Sequence, residues 1–117
     1  TAFNPRAVSA LKRAGFIIEN PGGDNPTYKV KFSDDIPPLI CFSKRFDDET
    51  NPKDNFAAIM TCSDADENCP FVPGTDFRQA ITYRDPKESD ETPEESKIYD
   101  ERCRQIASEM FYMMSQL

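Results

Sequence analysis

Residues 56–70, Phe-Ala-Ala-Ile-Met-Thr-Cys-Ser-Asp-Ala-Asp-Glu-Asn-Cys-Pro, constrain the fold most. The first six form a continuous apolar run, which reads as a strand buried on both faces in a parallel sheet. That strand delivers Cys62 at its C-terminal end, where open α/β sheets place ligands and chemistry. An acidic loop follows, then Cys69 and Pro70, which stops regular structure. A disulfide needs α-carbons roughly 4.4–6.8 Å apart. Seven helical steps would hold Cys62 and Cys69 about 10.5 Å apart, and seven extended steps up to about 25 Å. The stretch must therefore fold back on itself to join the two sulfurs. It is a candidate redox loop that changes shape between thiol and disulfide. The alternative is two unrelated small core residues, because free Cys is often buried. Zinc is a poorer fit, since the chain has no His and one C-x6-C pair is half of a tetrahedral set.

A chain of 117 residues is expected to form a single domain, 1–117, with a real core. The net charge of −7 argues against nucleic-acid binding, which needs a basic surface to displace counterions. It also disfavours an anionic membrane surface. No apolar segment reaches the ~18 residues of a membrane span, and none has the pattern of a signal peptide. The four Cys do not resemble a disulfide scaffold. Cys41 and Cys103 lie in apolar patterns, whereas Cys62 and Cys69 flank a polar loop. A reducing compartment, the cytoplasm, is expected.

Phe3-Asn4-Pro5 opens a helix. Asn4 suits the N-cap, Pro5 the first helical position, and Phe3 with Val8 a hydrophobic staple. Ala7, Val8, Leu11 and Ala14 form its expected buried face, and Gly15 ends it. A turn-rich loop at 21–26 leads to an alternating strand at 28–32. A second strand at 39–43 makes a hairpin with a longer connection. Residues 46–55 read as a polar connection to the apolar strand. Beyond Cys69, residues 79–83 read as a short strand. About seventeen residues separate it from Thr61, enough for a crossover to a parallel neighbour, which needs a dozen or more. Asp85 then leaves the same sheet edge as Cys62. Thr92-Pro93-Glu94-Glu95 has the form of a capping box before a final helix. There Tyr99, Cys103, Ile106, Met110, Met113 and Leu117 make one stripe, expected to be buried.

The apolar strand ending in Thr61-Cys62, the C-x6-C-P of residues 62–70, Asp85-Pro86 and Tyr99-Asp100-Glu101-Arg102 occur in one order. That order resembles the thioredoxin-coupled arsenate reductases, which share the fold of the low-molecular-weight protein tyrosine phosphatases. The resemblance implies an α/β fold: part of a three-layer, parallel-sheet domain of the low-molecular-weight phosphatase type, with an inserted β-hairpin at 28–43. It implies a three-thiol relay in which Cys62 matches the second thiol and Cys69 the third. Asp85 matches the general acid that protonates a departing oxygen, a role a carboxylic acid beside an oxyanion can fill. Read from its residues alone, Asp85 is a turn residue before Pro. The implied substrate is an oxyanion, arsenate or a phosphate monoester. Thioredoxin is the implied external reductant, and no cofactor or metal is called for.

The first thiol of such enzymes opens a C-x5-R loop. Six residues after the four Cys stand Asp47, Asn68, Thr75 and Glu109, so no C-x5-R is present. The expectation is a C-terminal portion without nucleophile or anion cradle. In the resembled fold the strand order is 2-1-3-4, and residues 56–61 match the third strand. Its inner edge is then expected to be open to a missing N-terminal segment or a second chain. A phosphatase in which Cys62 and Cys69 are incidental, or a non-catalytic interaction fragment, are the alternatives.

Overall fold

The structure, a computed structural model, describes residues 2–68 and 71–117. It is mixed α/β, with a three-strand antiparallel sheet and a two-strand parallel sheet. Two compact units divide the chain: Thr1–Ser43 with Pro86–Leu117, and Lys44–Asp85.

In the first unit, helix α1 (Pro5–Arg13) starts as its local chemistry dictates. The Asn4 side chain accepts the Arg6 N–H at 2.9 Å, and Pro5 fills the first turn. Gly15, at φ +104°, lets the chain leave in a left-handed conformation that a Cβ would oppose. Strands β1 (Ile17–Glu19), β2 (Tyr28–Lys31) and β3 (Leu39–Cys41) follow as an antiparallel meander in spatial order β1-β2-β3. The expected hairpin is the β2–β3 pair, with Tyr28 opposite Cys41 and Val30 opposite Leu39. Strand β1 was not expected, because three residues after a helix stop carry too short a pattern to read. Ile18, Tyr28 and Val30 point to one face and are buried with Val8 of α1. Phe3, Leu11, Phe16 and Cys41 close around them, and Phe3 meets Tyr28 edge to face at 5.5 Å. Burying each such side chain contributes roughly 1.5–3 kcal/mol.

Helix α3 (Glu95–Ser115) lies against α1. Asn4 and Tyr99, Arg6 and Glu95, and Arg13 and Asp100 link the two helices. This second neighbour turns the buried face of α1. Val8 and Ala10 are buried, Ala7 and Leu11 are half-buried, and Ala14 is exposed, contrary to the single-face expectation. The capping box is also displaced. Glu95 accepts the N–H of Glu91 at 2.7 Å, one residue before the expected donor, and the Thr92 hydroxyl donates to the Ser89 carbonyl at 2.6 Å. Along the α3 stripe only Tyr99 is buried; residues 103, 106, 110 and 113 are half-buried and Leu117 is exposed. The nine-residue α1 is much shorter than the twenty-one-residue α3, so it can cover only part of it.

In the second unit, β4 (Phe56–Met60) and β5 (Thr75–Ala80) pair in parallel. The parallel crossover agrees with expectation, but β5 begins four residues before the expected strand. Its limits follow pairing with β4 rather than its own apolar pattern, since Asp76 and Arg78 lie within it. Strand β4 is not buried on both faces: Ala57 is exposed, and Phe56, Ala58, Ile59 and Met60 are half-buried. Parallel sheets bury both faces when crossover helices cover them. Among the described residues, this crossover carries only the six-residue α2 (Ser63–Asn68), too short for that cover. The expected acidic loop thus begins as a helix. Gly74, at φ +80°, turns the chain into β5, and a Cβ there would collide with the Lys53 carbonyl. Among the described residues no helix is long and apolar enough to cross a membrane.

Candidate functional site

The parallel ladder of the second unit continues past the ends of its strands. Ile81 N–H donates to the Met60 carbonyl and Tyr83 N–H to the Thr61 carbonyl, each at 3.0 Å. Thr61 immediately precedes Cys62, and Tyr83 stands two residues before Asp85. Because the strands run parallel, Cys62 and Asp85 both leave the C-terminal end of the sheet. Both side chains are exposed. Cys62 also directly precedes α2. The structure therefore brings two of the three sequence-identified residues to one sheet edge. Cys69 and Pro70 lie outside the described residues, and so does the expected Cys62–Cys69 pairing.

The other two thiols belong to the first unit. Cys41 is half-buried on β3 beside the core cluster, and Cys103 is half-buried on α3. Cys103 lines an open cavity of about 440 Å³ with Ala10, Phe16 and Ala107, flanked by Arg13 and Arg104. Arg13 is already engaged by Asp100 at 2.7 Å.

Reading the sequence missed a groove along β4. Phe46, Pro52, Phe56, Ile59, Met60 and Val72 line a cavity of about 430 Å³. Residues 46–55 read as a polar connection, yet local turns carry Phe46 to the strand. Asp48 accepts from the N–H and hydroxyl of Thr50 at 2.9 and 2.6 Å, and these bonds hold its carboxyl below the ordinary range. The Asn51 amide donates to the carbonyls of Arg45 and Phe46 at 3.0 Å. The only signal was the Asp/Asn/Thr-rich turn composition itself.

In the first unit a polar cluster joins both helices. The Tyr99 hydroxyl donates to Asp90 at 2.9 Å and accepts from Asn4 at 3.2 Å. Arg6 bonds Glu95 at 2.7 Å and lies 3.4 Å from Asp90. The N–H of Glu91, then Arg6, lower the Glu95 carboxyl; burial, then Asp90, raises the Tyr99 phenol. Each charge in this cluster faces an opposite one, which fits a structural role. Among the described residues no three His, Cys, Asp or Glu side chains could hold a metal ion together. No family model, no curated protein and no solved structure matches this chain.

Proposed function

We propose that the chain is the C-terminal portion of an arsenate reductase built on the low-molecular-weight phosphatase fold. In that reading β4 and β5 are neighbouring strands of a larger parallel sheet within a three-layer domain, β2–β3 is an inserted hairpin, and α3 is the last helix. The observation that carries the reading is the shared sheet edge of Cys62 and Asp85, held by the Tyr83–Thr61 backbone bond.

The chemistry divides as follows. A cysteine of a C-x5-R loop, which this chain does not contain, forms a sulfur–arsenic(V) bond with arsenate. Asp85 gives its proton to the departing oxygen. The Cys62 thiolate attacks the sulfur of that adduct; the sulfur–arsenic bond breaks and its electron pair stays on arsenic, which leaves as arsenite. The Cys69 thiolate then displaces the first cysteine from Cys62, leaving a Cys62–Cys69 disulfide. Two electrons from thioredoxin restore both thiols. A cytoplasmic, reducing setting suits such a cycle. A phosphatase acting on phosphate monoesters is the alternative within the fold. For the chain by itself, the lack of C-x5-R favours a non-catalytic fragment.

Thioredoxin turnover tests the relay. The oxidised chain, mixed with thioredoxin, thioredoxin reductase and NADPH, is expected to consume one NADPH per chain, and Cys69→Ser to consume none by this route. No NADPH consumption by the oxidised wild-type chain would contradict the proposal.

A further inference from the structure

Strand β4 has β5 on one side, and among the described residues no strand on the other. A two-stranded sheet is marginal in water by itself. Sheet edges are usually guarded by charge, Pro or a bulge that turns them away. The sequence of β4, Phe-Ala-Ala-Ile-Met, carries neither charge nor Pro, and its register irregularity lies in the ladder with β5, between Phe56 and Ala57. The far strand is different, because Asp76 and Arg78 put charge on β5.

We propose that the open edge of β4 pairs antiparallel with β4 of a second copy, on a two-fold axis through Ala58, to give a four-stranded sheet β5-β4-β4-β5. Hydrogen-bond parity selects this register. The Met60 carbonyl points to β5, where it accepts from Ile81; the Thr61 carbonyl also turns to β5, so alternation breaks just beyond β4, while the register within it, Ala58 with Arg78, Ile59 with Gln79 and Met60 with Ala80, is continuous. In a parallel pair alternate residues turn their backbone groups to opposite sides, so Ala58 shares the β5 side and Ala57 and Ile59 face the open edge. An axis at Ala58 sets Ala57 opposite Ile59 of the second copy, and Ile59 opposite its Ala57. All four outward N–H groups and carbonyls of these positions then find partners. Side chains agree: Phe56 meets Met60, a favourable sulfur–aromatic pair, small Ala57 meets large Ile59, and Ala58 meets itself. Charge agrees as well, because no two like charges come opposite each other within the paired segment. The nearest, Arg78 and its copy, would lie three strand spacings apart, about 14 Å, beyond the ~8 Å screening length. In the functional reading a first strand that this chain does not contain would take the same edge, so the pairing proposed is that of the 117-residue chain by itself, and its test does not depend on the thiol relay.

Sedimentation equilibrium of the full 117-residue chain, with hydrogen exchange at β4, is the test. A concentration-dependent dimer is expected, with the Ala57 and Ile59 amides protected in the dimer and exposed on dilution. Ala57→Pro removes an outward N–H from each copy and none that faces β5. It is expected to weaken association about 10- to 100-fold. Ala58→Glu and Ala58→Lys each place like charges face to face on the axis, so each alone is expected to be monomeric. Mixed in equal amounts they are expected to form a heterodimer, a rescue that loss of folding would not produce. A chain that stays monomeric overturns the inference. So does a dimer insensitive to Ala57→Pro, which would place the contact elsewhere, for instance on the exposed Phe111 and Tyr112 of α3.

Discussion

Replacing Tyr99 by Phe isolates the polar cluster between α1 and α3. The ring, only 4% exposed, keeps its packing, and one hydroxyl is removed. That hydroxyl makes two bonds, one to the Asp90 carboxylate at 2.9 Å and one from the Asn4 amide at 3.2 Å. A neutral bond contributes about 0.5–1.5 kcal/mol and one to a charged group about 1.5–3. Asp90 retains Arg6 at 3.4 Å and Asn4 is half-buried, so part of the loss is recovered and ~1–2 kcal/mol is expected. In a domain of roughly 60–100 residues each kcal/mol lowers Tm by about 4–8 °C. Urea and thermal unfolding at pH 7 measure the difference, with Tyr112→Phe, 67% exposed on the same helix, as a control expected to be silent. Alkaline pH supplies a second reading. Burial, then the bond to Asp90, raises the phenol above its ordinary 10.0 in the folded chain. Its contribution is full below pH 10 and is lost as pH rises through the folded value. The gap between wild type and Tyr99→Phe is therefore expected to narrow above pH 10. A change under ~0.3 kcal/mol at pH 7, against the ~1 kcal/mol of a typical buried bond, or a gap that widens with alkali, would refute the reasoning.

Two further outcomes follow from single sites and a third from the lack of a C-x5-R motif. The Glu95 carboxyl is held below its ordinary 4.5 by the Glu91 N–H and then Arg6, so its contribution is present above pH 4.5 and lost as pH falls through the lower folded value. Glu95→Gln is expected to remove that part of the acid-unfolding profile, read by circular dichroism. Gly74→Ala must place a Cβ against the Lys53 carbonyl at positive φ. It is expected to cost about 1–3 kcal/mol, seen as faster hydrogen exchange in β4 and β5 while α1 is unaffected. The chain alone is expected to turn over neither arsenate nor a phosphate monoester, because it has no C-x5-R; activity that co-purifies with it through a contaminant-controlled preparation would contradict this.

What could be read from sequence was what local chemistry determines. Asn4, Pro5 and Gly15 define α1 without help from the rest of the chain, and the apolar run at 56–60 marks β4 without its partner. Pairing decides the rest. Thr75 to Arg78 joins β5 because β4 lies beside it, and Asp76 and Arg78 hid that from any apolar pattern. Glu95 looked like a capping residue and does hold a backbone N–H, but Arg6 of α1 also draws on it, and the N–H is that of Glu91. A helical period shows which face of α3 is apolar and not what covers it, so the stripe beyond Tyr99 was expected to be deeper than it is. At the candidate site, crossover length alone placed Cys62 and Asp85 on one edge. The groove under Phe46 was hidden because it depends on side-chain turns at Asp48 and Asn51.

The central claim is that Cys62 and Cys69 form a working thiol pair. Mass-spectrometric mapping of the chain, with thiols trapped after mild oxidation and again after reduction by thioredoxin, tests it most directly. The account predicts a dominant Cys62–Cys69 disulfide that thioredoxin reverses, with Cys41 and Cys103 still as thiols. A dominant bond through Cys41 or Cys103, or a Cys62 that remains a thiol throughout, would contradict it.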